Sequence, residues 1–151
     1  MSTFVTPHIA NPAAQPASGV PDARWAWVPI RSLGPRHRDR IAAHLQALTE
    51  SDRYLRFGSP STDAQISKYV DTLDFEQDEV FGIFNRRLQL IAMAHLAHAT
   101  SAATPKHPSM SEFGVSVLPK ARSRGFGQRL FEHAMLHARN RGVETLFIHA
   151  L

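Results

Sequence analysis

The sequence predicts a mixed α/β domain in which an antiparallel meander is followed by one parallel strand–helix–strand crossover. Three apolar, strand-like runs follow one another in the middle of the chain, at 79–84, 88–96 and 112–118. The last run leads into a helical pattern from Phe126 to Asn140 and then into a short apolar run, Thr145 to Ile148. Consecutive strands joined by short turns pair antiparallel, whereas a strand that is reached through a helix pairs parallel.

The first half of the chain is expected to begin with a flexible tail and to continue with a strand and two helices. Residues 1–22 are rich in Ala, Pro, Ser and Thr, so the domain itself is assigned to residues 23–151. An apolar run at 25–30 resembles a strand, and apolar residues at helical spacing predict a helix over 35–48. A second helix is predicted from Thr62, which forms a capping box with Gln65.

Composition and charge exclude several classes of protein. The chain has 151 residues, no cysteine and no apolar run long enough to cross a membrane, which excludes disulfide scaffolds and thiol nucleophiles and is typical of a cytoplasmic protein. The net charge is +4, and basic residues concentrate between Lys120 and Arg129. This placement favours a phosphorylated ligand over nucleic acid, for which the sequence carries no motif.

The most informative segment is the connection between the strand at 112–118 and the helix that begins near Phe126. Glycines at a strand-to-helix turn let a ligand approach the backbone closely, and a helix start presents unpaired N–H groups to an anion. Arginines at 122, 124 and 129 add positive charge. The same glycines are also compatible with a structural turn surrounded by solvated arginines.

This segment resembles the acetyl-CoA motif of the Gcn5-related N-acetyltransferases, [QR]-x-x-G-x-[GA], which here is Arg122-x-x-Gly125-x-Gly127. Val117 and Pro119 lead into the motif, and the similarity extends over about residues 26–151. The resemblance implies the acyl-CoA N-acyltransferase fold, acetyl-CoA as co-substrate and a primary amine as acceptor, in a bacterial type of domain.

The resemblance also implies which residues contact acetyl-CoA. The strand before the turn would carry a bulge and pair its backbone with the pantetheine arm, and the turn would hold the pyrophosphate on backbone amides. The residues in these two roles would be Val115, Ser116 and Val117 on the strand, and Arg122, Ser123, Arg124, Gly125, Phe126, Gly127 and Gln128 on the turn.

Two residues are candidates for the general base that accepts the proton of the amine. Glu112 is the first, because a strand glutamate near this position serves some members of the family; a solvated carboxylate at a strand start is the other interpretation, and the residue type favours it. His95 is the second, since imidazole titrates near neutral pH, although a lone strand histidine is also compatible with the core. Tyr54 and Arg56 would line the acceptor pocket. His133 and His137 are interpreted as helix surface rather than as metal ligands, and no metal site is predicted.

Members of the family continue beyond the last strand with a helix and two more strands, whereas this sequence stops at Leu151. A truncated product, a partner chain that supplies the missing half and a degenerate protein all remain open at this point. An open sheet edge would be exposed there, so a homodimer or another covering contact is expected. The leading functional hypothesis is an acetyl-CoA-dependent N-acetyltransferase of unidentified acceptor. The alternative is a catalytically impaired acyl-CoA-binding or regulatory module.

Overall fold

A six-stranded sheet with helices on both faces forms the protein, and the computed structural model describes residues 2–4, 23–99 and 110–149. The sheet order is β1-β6-β5-β4-β3-β2, with β5 and β6 parallel and every other pair antiparallel. This arrangement confirms the predicted meander and crossover. The strands are β1 Ser2–Phe4, β2 Arg31–Ser32, β3 Glu79–Phe84, β4 Leu90–His98, β5 Met110–Val117 and β6 Thr145–His149.

Four α-helices cover the two faces of this sheet. Three precede β3 and pack on one face, and α4 connects β5 to β6 across the other. Their bounds are α1 Arg38–Gln46, α2 Glu50–Phe57, α3 Asp63–Asp71 and α4 Phe126–Asn140. None of the helices in the described part of the chain is long and apolar enough to cross a membrane.

The hydrophobic core is divided by the sheet into two clusters. Leu130, Ala134 and Ala138 of α4 are buried against one face, where they meet Phe81 and Phe113. The other cluster joins α1 and α3 to the opposite face of β3 and β4. The predicted apolar stripes of α1, α3 and α4 therefore point inward, as their helical spacing indicates.

The expected strand at 25–30 is wrong. Ala23–Trp25 is a 3₁₀ helix followed by a turn, and sheet pairing begins only at β2. This segment packs on α4 instead, since Trp25 meets Phe126 edge to face at 6.3 Å and Arg129 donates to the carbonyls of Trp25 and Val28. Tertiary contacts therefore override the β-propensity of an apolar run.

Helix α2 lies in a segment for which no helix was predicted. Thr49 caps it by accepting a hydrogen bond from the backbone N–H of Asp52, and Gly58 ends it in a left-handed conformation. Eight polar-rich residues give little periodicity, although Thr49 and Gly58 are the usual signals of a helix start and end.

The edge beyond β6 is covered by the chain's own N-terminus. Ser2–Phe4 pairs antiparallel with Phe147–His149, so these three residues belong to the sheet and not to a tail. Strand β1 thus pairs with β6 at these positions and becomes the outermost strand of the sheet, and the homodimer stays a prediction. The remaining tail residues, 5–22, and the predicted loop at 100–109 lie outside the described residues.

Candidate functional site

The turn between β5 and α4 has the backbone geometry of an anion site. A 3₁₀ turn, Pro119–Ala121, follows β5, and Ser123 and Gly125 then adopt positive φ angles of 63° and 80°. Gly125 stands directly before α4 and offers no side-chain oxygen to cap it. The first backbone N–H groups of this 15-residue helix therefore point toward the turn and receive no hydrogen bond from a side chain at Gly125.

Strand β5 has an open backbone edge next to this turn. The backbone N–H of Leu118 donates to the carbonyl of Ile91. The backbone N–H and C=O groups of the even-numbered residues of β5 therefore point toward β4, and those of the odd-numbered residues point away from it, toward the side of β6. In the described part of the chain, the backbone groups on the odd-numbered side pair with β6 as far as Phe113. The N–H and C=O groups of Val115 and Val117 thus lie beyond the last pairing with β6, where an extended ligand can bind as an added strand.

The bulge that the resemblance implied on this strand is absent. The pairing of β5 with β4 runs without a register shift from Val117 to Ser111. Among the described residues, β6 pairs with β5 up to Phe113, and β5 itself carries no extra residue.

A cavity of about 270 Å³ lies beside the open edge, between β5 and helix α2. Its lining includes Val115, Val117, Leu55, Asp52 and Arg122. The Arg122 guanidinium lies 2.5 Å from the Asp52 carboxylate and is 49% exposed. Burial raises the pKa of Asp52, but hydrogen bonds from Arg122 and Thr49 and the charge of Arg122 outweigh it, so that this pKa lies below its usual value.

The two other arginines near the turn, Arg124 and Arg129, are engaged with the protein. Arg124 stacks over the Trp25 ring at 4.2 Å, and Arg129 donates to two backbone carbonyls at 3.1 and 2.6 Å. Arg122, although paired with Asp52, is the half-exposed guanidinium at the open edge. Positive potential for a phosphate would therefore come from the α4 backbone and Arg122 more than from a cluster of free arginines.

Ser116 differs from its two neighbours on β5. Its backbone faces β4, and its hydroxyl donates to Nε2 of His44, at 2.8 Å. Nδ1 of the same imidazole donates to the carbonyl of Leu90, also at 2.8 Å. Burial is the main cause that lowers the pKa of His44 to about 4, so this residue is a neutral core histidine at physiological pH.

Three of the predicted turn residues differ in what they leave available to a ligand. Phe126 is a buried core side chain, so only its backbone is available to a ligand. Gln128 donates to Glu132 at the exposed surface of α4. Gly127 has space around it, because a Cβ there would meet only Val117, at 3.8 Å.

A second cavity of about 190 Å³ brings the two candidate bases together. His95 and Glu112 both line it, because β4 and β5 place them on the same face of the sheet. Arg56, Tyr69 and Gly114 complete much of the wall. Tyr54, in contrast, is 44% exposed and does not line this cavity.

His95 belongs to a chain of hydrogen bonds that the sequence did not reveal. Arg56 donates to the Tyr69 hydroxyl at 2.8 Å, that hydroxyl donates to His95 Nδ1 at 2.5 Å, and His95 Nε2 donates to Asp78 at 2.8 Å. Burial is the largest influence on the Tyr69 hydroxyl and raises its pKa. Both ring nitrogens of His95 are engaged in hydrogen bonds, one to the Tyr69 hydroxyl and one to Asp78, and its role as a base stays a prediction.

A serine, a histidine and a glutamate also form a buried arrangement on the opposite face of the sheet. Ser111 Oγ lies 2.5 Å from His98 Nδ1, and His98 Nε2 contacts Glu79, which also binds Arg141. Ser111 is almost completely buried, so its oxygen is closed to a substrate and this arrangement joins β3, β4 and β5.

The two histidines on α4 are packing residues and not free surface side chains. The rings of His133 and His137 lie 4.6 and 4.8 Å from the Phe81 ring. Burial, followed by the charges of His137 and Arg129, lowers the pKa of His133. No group of three or more ligand side chains that could hold a metal occurs among the residues described here.

Comparison with known proteins agrees with this geometry. The structure resembles the GNAT domain of S. lividans PAT, with a TM-score of 0.63, 21% identity, 79% of this chain covered and 69% of that one. It also resembles an acetyltransferase of Trypanosoma brucei (TM-score 0.59, 15% identity, 82% of each chain). A ribosomal-protein-alanine N-acetyltransferase from Brucella melitensis is similar too (TM-score 0.58, 19% identity, 80% of this chain and 72% of that one).

None of the curated proteins is a significant match to this chain in sequence. Residues 43–151, well over half of the chain, match the family described as "Acetyltransferase (GNAT) family". That span includes the open edge of β5, the turn before α4 and the cavity of His95 and Glu112. The chain is therefore a member of the GNAT acetyltransferase family.

Proposed function

We propose that this chain is an acetyl-CoA-dependent N-acetyltransferase that acts on a primary amine. The observation that carries the proposal is the continuity of three features along β5: the open edge at Val115 and Val117, the uncapped start of α4, and the cavity lined by Glu112. An elongated ligand with an anionic segment fits the first two, and an amine next to a carboxylate fits the third.

Acetyl-CoA would supply the thioester carbonyl as the electrophile. Backbone groups of Val115 and Val117 would bind the pantetheine arm as an added strand. The amides from Arg122 to Gln128 would hold the pyrophosphate, with Arg122 adding charge. In this proposal the thioester end of acetyl-CoA lies near Gly114, between the two cavities.

Glu112 is proposed as the group that takes the proton of the acceptor ammonium, because it lines the second cavity directly. The hydrogen bonds of His95 make it a positioning residue, which keeps the Tyr69 hydroxyl oriented. A carboxylate base of this kind contributes about 10²–10⁴-fold to the rate. Replacement of Glu112 by Gln is expected to lower kcat by that order while leaving acetyl-CoA affinity unchanged.

The test of the cofactor site is a calorimetric titration of acetyl-CoA with a matched pair of variants, Gly127→Glu and Gly127→Gln. Position 127 is preferable to 125, because the positive φ of Gly125 would strain any side chain. The two side chains have the same shape, so a difference between them reports charge. Repulsion of the pyrophosphate predicts that Glu weakens binding about tenfold or more relative to Gln.

Equal affinity of the two variants would contradict a pyrophosphate at this turn.

The alternative function, a module that binds acyl-CoA without transferring it, is favoured by the full engagement of His95. Release of CoA thiol in the presence of amines separates the two functions, since the binding module would titrate normally and release none.

A further inference from the structure

Arg56 is a buried cation with few partners. Arg56 is only 8% exposed, and within the described ranges its side chain makes one hydrogen bond, to the Tyr69 hydroxyl. Its Nε is buried without a hydrogen-bond partner, and the guanidinium forms no ion pair with a carboxylate of the described residues. Buried charges in proteins are normally paired, so this group points to an anion that binds from outside.

The protein backbone is shaped to hold the guanidinium in this place. Gly114 of β5 lies directly beneath it, and a Cβ there would stand 2.4 Å from Cζ and 2.5 Å from Nη1 of Arg56. The rings of Phe57 and Tyr69 flank the same group at 4.8 and 5.5 Å. A glycine and two aromatic rings thus hold the guanidinium in the wall of the 190 Å³ cavity.

The same cavity carries a negative group at a matching distance. Glu112 lies two residues before Gly114 on the same face of β5, which is a step of about 6.7 Å along a strand. The cavity is smaller than the sites of about 300–1,000 Å³ that take drug-sized ligands. A small molecule with an ammonium near Glu112 and an anionic group near Arg56 would place an opposite charge beside each of the two residues.

We propose that the acceptor is a small amine that also carries a carboxylate, as an α-amino acid does, and that Arg56 binds this carboxylate. The inference rests on the proposed acetyltransferase function and names its substrate class. The guanidinium offers Nη1, which makes no hydrogen bond to a described residue, for a charge-assisted bond to the carboxylate. The amine is then held beside Glu112, where it loses its proton before attack on the thioester.

The first experiment compares the twenty amino acids with their carboxamides as acceptors, at saturating acetyl-CoA, by release of CoA thiol. Each pair keeps the amine and the side chain and differs at the carboxylate, and pH-independent kcat/KM values remove the difference in amine basicity. At least one acid is expected to exceed its amide by tenfold or more. Amides that react as well as their acids, or Nα-acetyl-lysinamide as the best acceptor, would overturn the inference.

The variants then identify the residue that recognises the carboxylate. Arg56→Gln and Gly114→Ala, which displaces the guanidinium without removing it, are expected to bring the acid-to-amide ratio close to one, chiefly through KM. Tyr54→Phe, at an exposed position of the same helix and outside the cavity, is the control that should retain the ratio. An equal loss of kcat for acids and amides would assign Arg56 to the oxyanion of the reaction instead, and would refute carboxylate binding.

Failure of the proposed function has a different signature. If acetyl-CoA binds but CoA thiol is released with none of the acceptors, the transferase proposal fails. The carboxylate site is then tested only by the binding of the acids and amides. Saturation-transfer NMR with the same acids and amides provides that readout. Signals from the acids that Arg56→Gln abolishes would support the site, and signals equal for acids and amides would refute it.

Discussion

The interior histidine of α1 makes the stability of this fold depend on pH. His44 donates through Nδ1 to Leu90 and accepts through Nε2 from Ser116, and it is buried with Arg56 nearby. Burial lowers its pKa from 6.5 to about 4. The protonated ring would donate from both nitrogens, so the Ser116 hydroxyl would have to turn and accept, and a second positive charge would stand near Arg56 in a buried site.

The sign and size of the effect follow from this pKa. Because the folded value lies below the unfolded one, the unfolded chain binds more protons between pH 4 and 6.5, and stability rises with pH through this window. The free energy of unfolding contributed by His44 is present in full above pH 6.5 and is lost as the pH falls. The loss is about 2 kcal/mol at pH 5 and about 3 kcal/mol once both states are protonated.

Urea unfolding at a series of pH values, followed by far-ultraviolet circular dichroism, measures this contribution. His44→Gln is expected to be less stable at pH 7, but its stability should fall by about 2 kcal/mol less than that of the wild type between pH 7 and pH 5. Ala43→Gly on the exposed side of α1 is the control, because it lowers stability by about 1 kcal/mol without removing a proton-binding group. Parallel pH profiles for wild type and His44→Gln would refute the argument.

Three further changes test the core, a helix cap and the cavity beside β5. Leu130→Ala removes a completely buried side chain from the face of α4 and should lower the free energy of unfolding by about 2–5 kcal/mol in urea titrations. Thr62→Ala removes the oxygen that accepts from the Gln65 N–H and should lower it by about 1 kcal/mol, with unchanged acetyl-CoA binding. Asp52→Asn removes the carboxylate beside Arg122 and should lower the acetyl-CoA Kd by a factor of about 2–5, which calorimetry measures.

The parts of the fold that were predicted from sequence are those in which local chemistry and burial agree. The hairpin of β3 and β4 and the turn into α4 combine a clear hydrophobic period with recognisable breakers, and each appears where expected. The segment at 25–30 has an equally apolar pattern, but Arg129 binds its carbonyls and keeps it out of the sheet. That contact joins residues about a hundred positions apart and leaves no local trace in the sequence.

The second cavity was harder to predict because its wall is assembled from several elements. Arg56 comes from α2, Tyr69 from α3, His95 from β4 and Glu112 from β5. At the level of sequence, Tyr69 is one member of an apolar helical stripe, and only the packing of α3 on β4 brings its hydroxyl to His95. The candidate bases were identified by residue type, whereas the hydrogen bonds that decide their roles required the sheet register.

Two glycines of this site show why one half of it can be read from sequence and the other half cannot. Gly125 is needed for its own backbone conformation, a positive φ beside a helix start, and such a requirement appears as a short motif. Gly114 is needed because a guanidinium from another helix occupies the space of its missing Cβ. A close approach between distant segments has no local signature. The turn for the anion was therefore recognisable from sequence, whereas the cation of the second cavity depends on how α2 packs against β5.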